Sequence, residues 1–257
     1  MNTILKADSL VKSYSLHSDN DTPVLKGISL EIKEGEFIAF MGPSGAGKST
    51  LLHILGLLDT PDTGAVTGYY PAGKQHIYSS LKKKQAAELR NKHIGFIFQF
   101  HHLLPEFSAI ENIMMPALIA GEKVSHAEKK ALALCEKVGM IHRKDHRPSE
   151  LSGGEQQRIS IARALINEPS IIIADEPTGN LDSANTVAVL DLIKRIRQER
   201  TLTLLIATHS IDVARMAEKI ITLRDGIISS EVIVHKVDNQ SGSSQIQSDS
   251  MNTNEAL

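Results

Sequence analysis

Gly42-Pro43-Ser44-Gly45-Ala46-Gly47-Lys48-Ser49 is the stretch that decides how this chain folds. It follows a β-like run at 36–41 and opens an apolar helical stretch at Thr50-Leu51-Leu52. A glycine-rich loop between a strand and a helix is the setting of a phosphate-binding P-loop. Gly45 and Gly47 let the backbone turn tightly, so that its N–H groups converge on phosphate oxygens with no Cβ in the way. The following helix aims the positive end of its dipole at the same anion. Lys48 is placed for the β- and γ-phosphates and the Ser49 hydroxyl for magnesium. The expectation is a nucleoside triphosphate held by residues 42–50.

The rest of the composition fits an ordinary globular chain. Its 257 residues are 41% apolar and 23% charged. That length sits between one large domain and two small ones. A net charge of −2 gives no basic footprint for nucleic acid. The single cysteine, Cys135, cannot form an internal disulfide, and its flanks Leu132, Leu134 and Val138 suit a buried helical thiol. The first eight residues lack the charged and apolar blocks of a signal peptide. No run of about 18 apolar residues exists to span a membrane, so a membrane role would come through a partner.

Residues 4–32 alternate apolar and polar around a turn cluster at 18–23, which predicts short antiparallel strands. From Glu36 onward continuous apolar runs at 37–41, 170–174 and 202–207 alternate with helical segments. Such runs belong to a parallel sheet covered on both faces. Residues 88–148 are mostly helical, clearest at 128–138, and predict a helical insertion in an α/β core. Near the end, runs at 219–223 and 227–234 flank Asp225-Gly226, a hairpin signal. Beyond Asp238 the chain is rich in Ser, Asn and Gln, a composition that favours disorder.

The run 170–174 ends in Asp175-Glu176-Pro177. Asp175 is a candidate to hold magnesium through water, completing the cation site begun by Ser49. Glu176 is then a candidate to accept a proton from a water attacking the γ-phosphate. Gln99 ends the apolar run 94–98 and His209 follows the run 204–207. Open α/β sheets collect ligands at the C-terminal ends of strands, where all these groups fall. Taken alone, His209 would pass for a core or surface histidine; in this company it is a catalytic candidate.

Leu151-Ser152-Gly153-Gly154-Glu155-Gln156 has the spacing of a capping box, with an apolar helix face at Ile159, Ala162, Leu165 and Ile166. Adjacent glycines in a first turn weaken a helix, so their use there needs another reason. They leave N–H groups approachable by an anion, which suggests a second phosphate-facing helix and a composite site.

Together these residues resemble the ATP-binding subunits of ATP-binding-cassette (ABC) transporters over most of the chain, from about Leu5 to Val234. The order matches that family: an aromatic A-loop at Tyr14, Walker A at 42–49, a Q-loop at Gln99, the signature at 151–156, Walker B at 171–176, the D-loop 179–182 and the switch His209. The resemblance implies a RecA-like P-loop core in an ATP-binding domain at 4–234. It further implies an N-terminal antiparallel β subdomain, a helical subdomain inserted at about 88–165 and a polar tail at 238–257. It implies ATP and Mg²⁺ as ligands. Nucleotide contacts fall to Tyr14 (stacking on adenine), residues 42–50 (Gly42, Pro43, Ser44, Gly45, Ala46, Gly47, Lys48, Ser49 and Thr50) and to Ser152, Gly153, Gly154 and Gln156. The metal contacts would be Ser49, Gln99 and Asp175, and the catalytic ones Glu176, His209 and Gln99. Two copies would pair head to tail, each signature closing over the ATP on the other's P-loop.

Within that family, Phe98-Gln99-Phe100-His101-His102-Leu103-Leu104-Pro105-Glu106-Phe107 is similar to the lipoprotein-releasing ATPases of Gram-negative bacteria, as are 55–61, 87–91 and 146–150. This implies a peripheral ATPase on the cytoplasmic face of the inner membrane that drives lipoprotein release without touching the cargo. The segment from Gln99 to Phe107 would receive integral membrane permease subunits; Leu103, Leu104 and Phe107 equally suit internal packing. The alternatives are an ATPase of macrolide-export or cell-division type, and a soluble cassette ATPase that assists assembly. The stretch 65–84 departs from the family pattern. His101, His102, His142 and His146 lack the cysteine pair or carboxylate that would complete a metal site.

Overall fold

The computed structural model describes residues 2–15, 21–199 and 201–234. Part of the turn cluster at 18–23 and the whole polar tail beyond Asp238 lie outside the described residues. Two long strands open the chain, β1 (Thr3–Ser15) and β2 (Asp21–Lys33), paired antiparallel with Ala7 opposite Leu30 and Leu5 opposite Ile32. Then come β3 (Phe37–Met41), α1 (Lys48–Leu55), β4 (Thr63–Tyr69) and β5 (Gln75–Ile77). The strands β2-β1-β4-β5 form one antiparallel sheet in that order.

The remaining elements are α2 (Lys83–His93), β6 (Ile94–Phe98), α3 (Ala109–Ile119), α4 (Val124–Lys137), α5 (Gly153–Leu165), β7 (Ile171–Asp175), α6 (Ser183–Glu199), β8 (Thr203–Ala207), α7 (Ile211–Ala214), β9 (Lys219–Arg224) and β10 (Ile227–Ile233). A six-stranded sheet runs β10-β9-β3-β8-β7-β6, parallel except for the terminal hairpin. Asp225 (φ 51°) and Gly226 (φ 83°) turn that hairpin through left-handed conformations, the geometry that matches strand twist.

Continuous apolar runs have two buried faces to fill, and this sheet fills both. Phe37, Ala39, Ile172, Ala174, Leu204 and Ile206 pack with the helical side of the molecule, α3 to α7. Their alternates Ile38, Phe40, Ile171, Ile173, Leu205 and Ala207 pack with α1 and the antiparallel sheet. Period-two alternation within each run thus joins two cores across one sheet.

Inside the stretch 88–165, β6 belongs to the core sheet, so the helical arm consists of α3, α4 and the turns leading to α5. Ser108 caps α3, its Oγ accepting from Glu111 N while Glu111 Oε2 accepts from Ser108 N. The arm is packed from small residues, Ala109, Ala117, Ala127 and Ala131, with Cys135 fully buried among them. Burial pushes the Cys135 thiol up to about 11, as expected of an inert packing thiol.

Candidate functional site

Four parallel strands, β3, β8, β7 and β6, lie side by side in that order, so their C-terminal ends make one edge. The chain leaves them into the P-loop, Thr208-His209, Asp175-Glu176 and Gln99 respectively. Four segments distant in sequence are gathered by strand order alone.

The P-loop geometry depends on glycine at two places. Gly42 (φ 142°) has no room for a Cβ, which would collide with the Leu223 carbonyl oxygen. Gly47 (φ 97°) is the N-cap of α1, and a Cβ there would sit 2.8 Å from Leu25 Cδ2. Lys48 is buried, and its Nζ donates to the carbonyls of Gly42 (2.9 Å) and Pro43 (3.1 Å). An ammonium has three donors, so one is left for an anion in the loop's mouth. Ser44, Gly45 and Ser49 are exposed, and the first turn of α1 carries no acidic side chain to oppose a phosphate.

Asp175, at the end of β7, has a buried Oδ1 without any hydrogen-bond partner among the described residues. A buried carboxylate oxygen is rarely left so, and a cation or its water would satisfy it. This donor set, with the Ser49 hydroxyl, fits Mg²⁺. Next to it Glu176 takes a positive φ of 46°, unusual for a residue with a side chain and found where a site holds the backbone against its preference. Its N–H donates to the Ala207 carbonyl (2.9 Å), which locks it beside β8. Its Oε1 lies 3.0 Å from His209 Nδ1, and its Oε2 accepts from His209 N at 3.4 Å. The carboxylate is mostly covered while the imidazole is 71% exposed, reaching out from the edge.

Gln99 is tied to the loop after β7: its Nε2 donates to Asn180 Oδ1 (3.1 Å), and Asn180 Nδ2 donates back to the Gln99 carbonyl (3.2 Å). Tyr14, at the end of β1, donates from its hydroxyl to Asp59 Oδ2 (2.7 Å), with Lys12 Nζ 5.2 Å from its ring centroid. Partial burial, helped by that hydrogen bond, raises the Tyr14 hydroxyl above its ordinary value. Tyr14 as a whole is still 40% exposed and open to a stacking partner.

The expected capping box at the start of α5 is present. Ser152 Oγ accepts from Glu155 N (3.3 Å) and Glu155 Oε2 accepts from Ser152 N (2.8 Å). The Ser152 amide, more than the nearby Arg143 guanidinium at 3.2 Å, holds Glu155 below its usual carboxylate range. A Cβ on Gly154 would strike the Asn185 side chain, while Gly153 is open. Gln156 donates from Nε2 to the carbonyls of Pro148 (2.9 Å) and Leu151 (3.1 Å), holding the turn that feeds the helix. Among the described residues this turn makes no hydrogen bond to the P-loop of its own chain. The turn's neighbours are Leu181 and Asn185, and it is the opposite end of α5 that meets β6, where a Cβ on Gly95 would strike the Ala164 carbonyl.

Two contributors escaped the sequence reading. Gln157 is fully buried and its Nε2 donates to the Pro177 carbonyl (2.6 Å), linking the signature helix to the residue after Glu176. Arg163 donates to the carbonyls of His101 (2.7 Å) and His102 (2.6 Å), fixing the segment after Gln99. Their signal was a polar side chain on the inward face of a helix. Leu103 packs partly into the core, whereas Phe100, Leu104 and Phe107 are exposed. Among the described residues, no three His, Cys, Asp or Glu side chains are grouped to hold a metal.

Residues 25–179 match the model of the ABC transporter family. This chain belongs to that family. The cassette is 45% identical over 228 residues to the lipoprotein-releasing system ATP-binding protein LolD of Saccharophagus degradans, covering 89% of this chain and 97% of that one. It is 47% identical to the protein of the same name from Legionella pneumophila, covering 87% and 96%. Among solved structures it superposes with TM-score 0.82, at 37% identity, on a dimeric ATP-binding cassette in a post-hydrolysis state bound to ADP and Pi. A dimeric bacterial ABC transporter cassette gives 0.81 at 37% identity. In both cases 91% of this chain and all of the other are covered. The ABC ATPase fold, with its mixed core sheet and separate antiparallel sheet, is therefore that of this chain, and ATP hydrolysis is its activity.

Proposed function

We propose that this cassette is the ATP-hydrolysing subunit of a transporter that releases lipoproteins from the inner membrane. The observation that carries the reading is the meeting of the P-loop, Asp175-Glu176 and His209 at one sheet edge, in a chain aligned with nearly the whole length of lipoprotein-releasing relatives. Lys48, Ser49 and the loop amides bind the triphosphate of ATP, and Tyr14 offers its ring to adenine. Mg²⁺, when bound, supplies charge neutralisation at the phosphates, and Ser49, Asp175 and Gln99 are the residues that would hold it. Glu176 orients the attacking water and accepts its proton on a carboxylate oxygen. His209, hydrogen-bonded to that carboxylate, stabilises charge at the γ-phosphate. The signature residues Ser152, Gly153 and Gly154 of a second copy complete the site, which makes the working unit a homodimer. The signature turn makes no hydrogen bond to the P-loop of its own chain among the described residues, which favours this over closure within one chain.

ATP shared by two copies favours their closed pairing, and hydrolysis removes the shared ligand. Gln99, tied to Asn180 and adjoining exposed Phe100, Leu104 and Phe107, transmits that change to integral permease subunits at the cytoplasmic face of the inner membrane. No helix among the described residues is long and apolar enough to cross a membrane, consistent with a peripheral subunit that meets no lipid cargo. Nucleic acid has no part in this reading. The test is purification from gently solubilised native membranes through an N-terminal tag. Lipoprotein-sorting permease subunits should come with it. A permease of macrolide-export or cell-division type would keep the ATPase and change the cargo, and a wholly soluble pool would overturn transport.

A further inference from the structure

The charge of this chain is unevenly spread. Between Tyr70 and Ile94 stand Lys74, Lys82, Lys83, Lys84, Arg90 and Lys92 against one acid, Glu88, although the whole chain carries −2. The five lysines are all exposed, and among the described residues none is in an ion pair. By contrast Lys6, Lys12, Lys130, Lys144 and Lys219 each sit on a carboxylate. Lys82, Lys83 and Lys84 also crowd the N-terminus of α2, whose first turn has no acid. Cations there oppose the helix dipole, so the triplet works against its own helix and its benefit must come from outside.

We propose that this lysine face, on α2 and the adjoining β5 turn, binds the anionic headgroups of the bilayer. The inference rests on the permease reading for its placement. Ala87, Arg90 and Asn91 of the same helix line a cavity of about 400 Å³ with Phe98, His102 and Ile119, next to the segment that would receive the permease. The helix has 11 residues and is about 16 Å long, so its N-terminal lysines stay within that distance of a permease docked in the cavity. The choice of residue argues for lipid over an acidic protein segment. Lysine is strongly hydrated, mobile and depleted at protein interfaces, where arginine and aromatic side chains are preferred. A polybasic face attracts an anionic leaflet without being desolvated. The exposed Ile77, on β5 between Lys74 and Lys82, adds an apolar side chain to the same face.

The experiment is flotation of the purified full-length protein with vesicles of phosphatidylcholine alone, or with one lipid in three replaced by phosphatidylglycerol. Salt-sensitive flotation with the anionic vesicles alone is expected. The variant Lys82→Glu/Lys83→Glu/Lys84→Glu should bind them about 10²-fold more weakly, with soluble ATPase activity unchanged and melting temperature unchanged or raised. Lys33→Glu/Lys194→Glu/Arg195→Glu, equal in charge change and placed elsewhere, should still float. Absence of phosphatidylglycerol-dependent flotation, or equal loss in the second variant, would overturn the proposal. So would failure of the first variant to co-purify permease in detergent, which would assign the lysines to a protein contact. Flotation as expected with no permease in the native purification would uphold the lipid surface and bring down the transporter reading.

Discussion

Glu176 and Lys48 are proposed to act at different stages, and their surroundings say which variant reads which. Glu176 is held at φ 46° with its carboxylate on His209, and as an acceptor it offers phosphate no donor. Glu176→Gln should therefore keep ATP affinity and slow hydrolysis by roughly 10²–10⁴, the scale of a lost general base. Near-normal turnover in that variant would remove Glu176 from the chemistry. Lys48 bridges the Gly42 and Pro43 carbonyls, so Lys48→Ala should lose both a phosphate donor and the order of the loop. Titration with a fluorescent ATP analogue should show weakened binding, and unchanged affinity would contradict the role. Gly47→Ala probes the loop without touching charge. At φ 97° it imposes about 1–2 kcal/mol of left-handed strain, with Leu25 crowding the new methyl. The expected result is a lower melting temperature together with weaker nucleotide binding; wild-type behaviour in both would mean that the loop has another conformation.

Glu155 makes the first turn of α5 sensitive to acid. Its carboxyl is held below 4.5 by the Ser152 amide, so its ionised form stabilises the fold. A depressed value contributes fully above the ordinary carboxylate range and is lost as pH falls through the lower folded value. Melting temperatures of wild type and Glu155→Gln should therefore differ most at neutral pH and converge in acid. A constant gap down to pH about 3 would mean that the charge is not what the cap uses. Elements of this kind were legible because their signals are local: a capping box, an Asp-Gly hairpin, a glycine loop between strand and helix. By contrast β4 and β5 went unread. In β4 the inward positions are Val66 and Gly68, and Gly68 is glycine because the Tyr70 ring fills the place of its side chain. A packed glycine leaves no mark on a hydrophobic pattern. Gln157 and Arg163 were equally hidden, since their partners, Pro177 and the His101-His102 carbonyls, are brought near only by the sheet.

Strand order and the surroundings of the signature turn bear on what one copy can do. Strand order gathers the P-loop, His209, Asp175-Glu176 and Gln99 at one edge, while the signature turn keeps to Leu181, Asn185 and Pro177, with no hydrogen bond to the P-loop among the described residues. On the proposed reading, a single copy holds two half-sites that serve different nucleotides. Two variants dead for opposite reasons should then rescue each other. Lys48→Ala spoils the P-loop half, and Ser152→Arg spoils the signature half with a bulky side chain in its first turn. Each alone forms dimers with two defective sites. In an equal mixture about half the dimers are mixed, and each of these pairs one intact P-loop with one intact signature. Trapping of nucleotide with vanadate should reappear on mixing, at about a quarter of the wild-type amount if copies exchange freely. A mixture that traps no more than its components would show that each P-loop is served by its own chain, contrary to the proposed pairing.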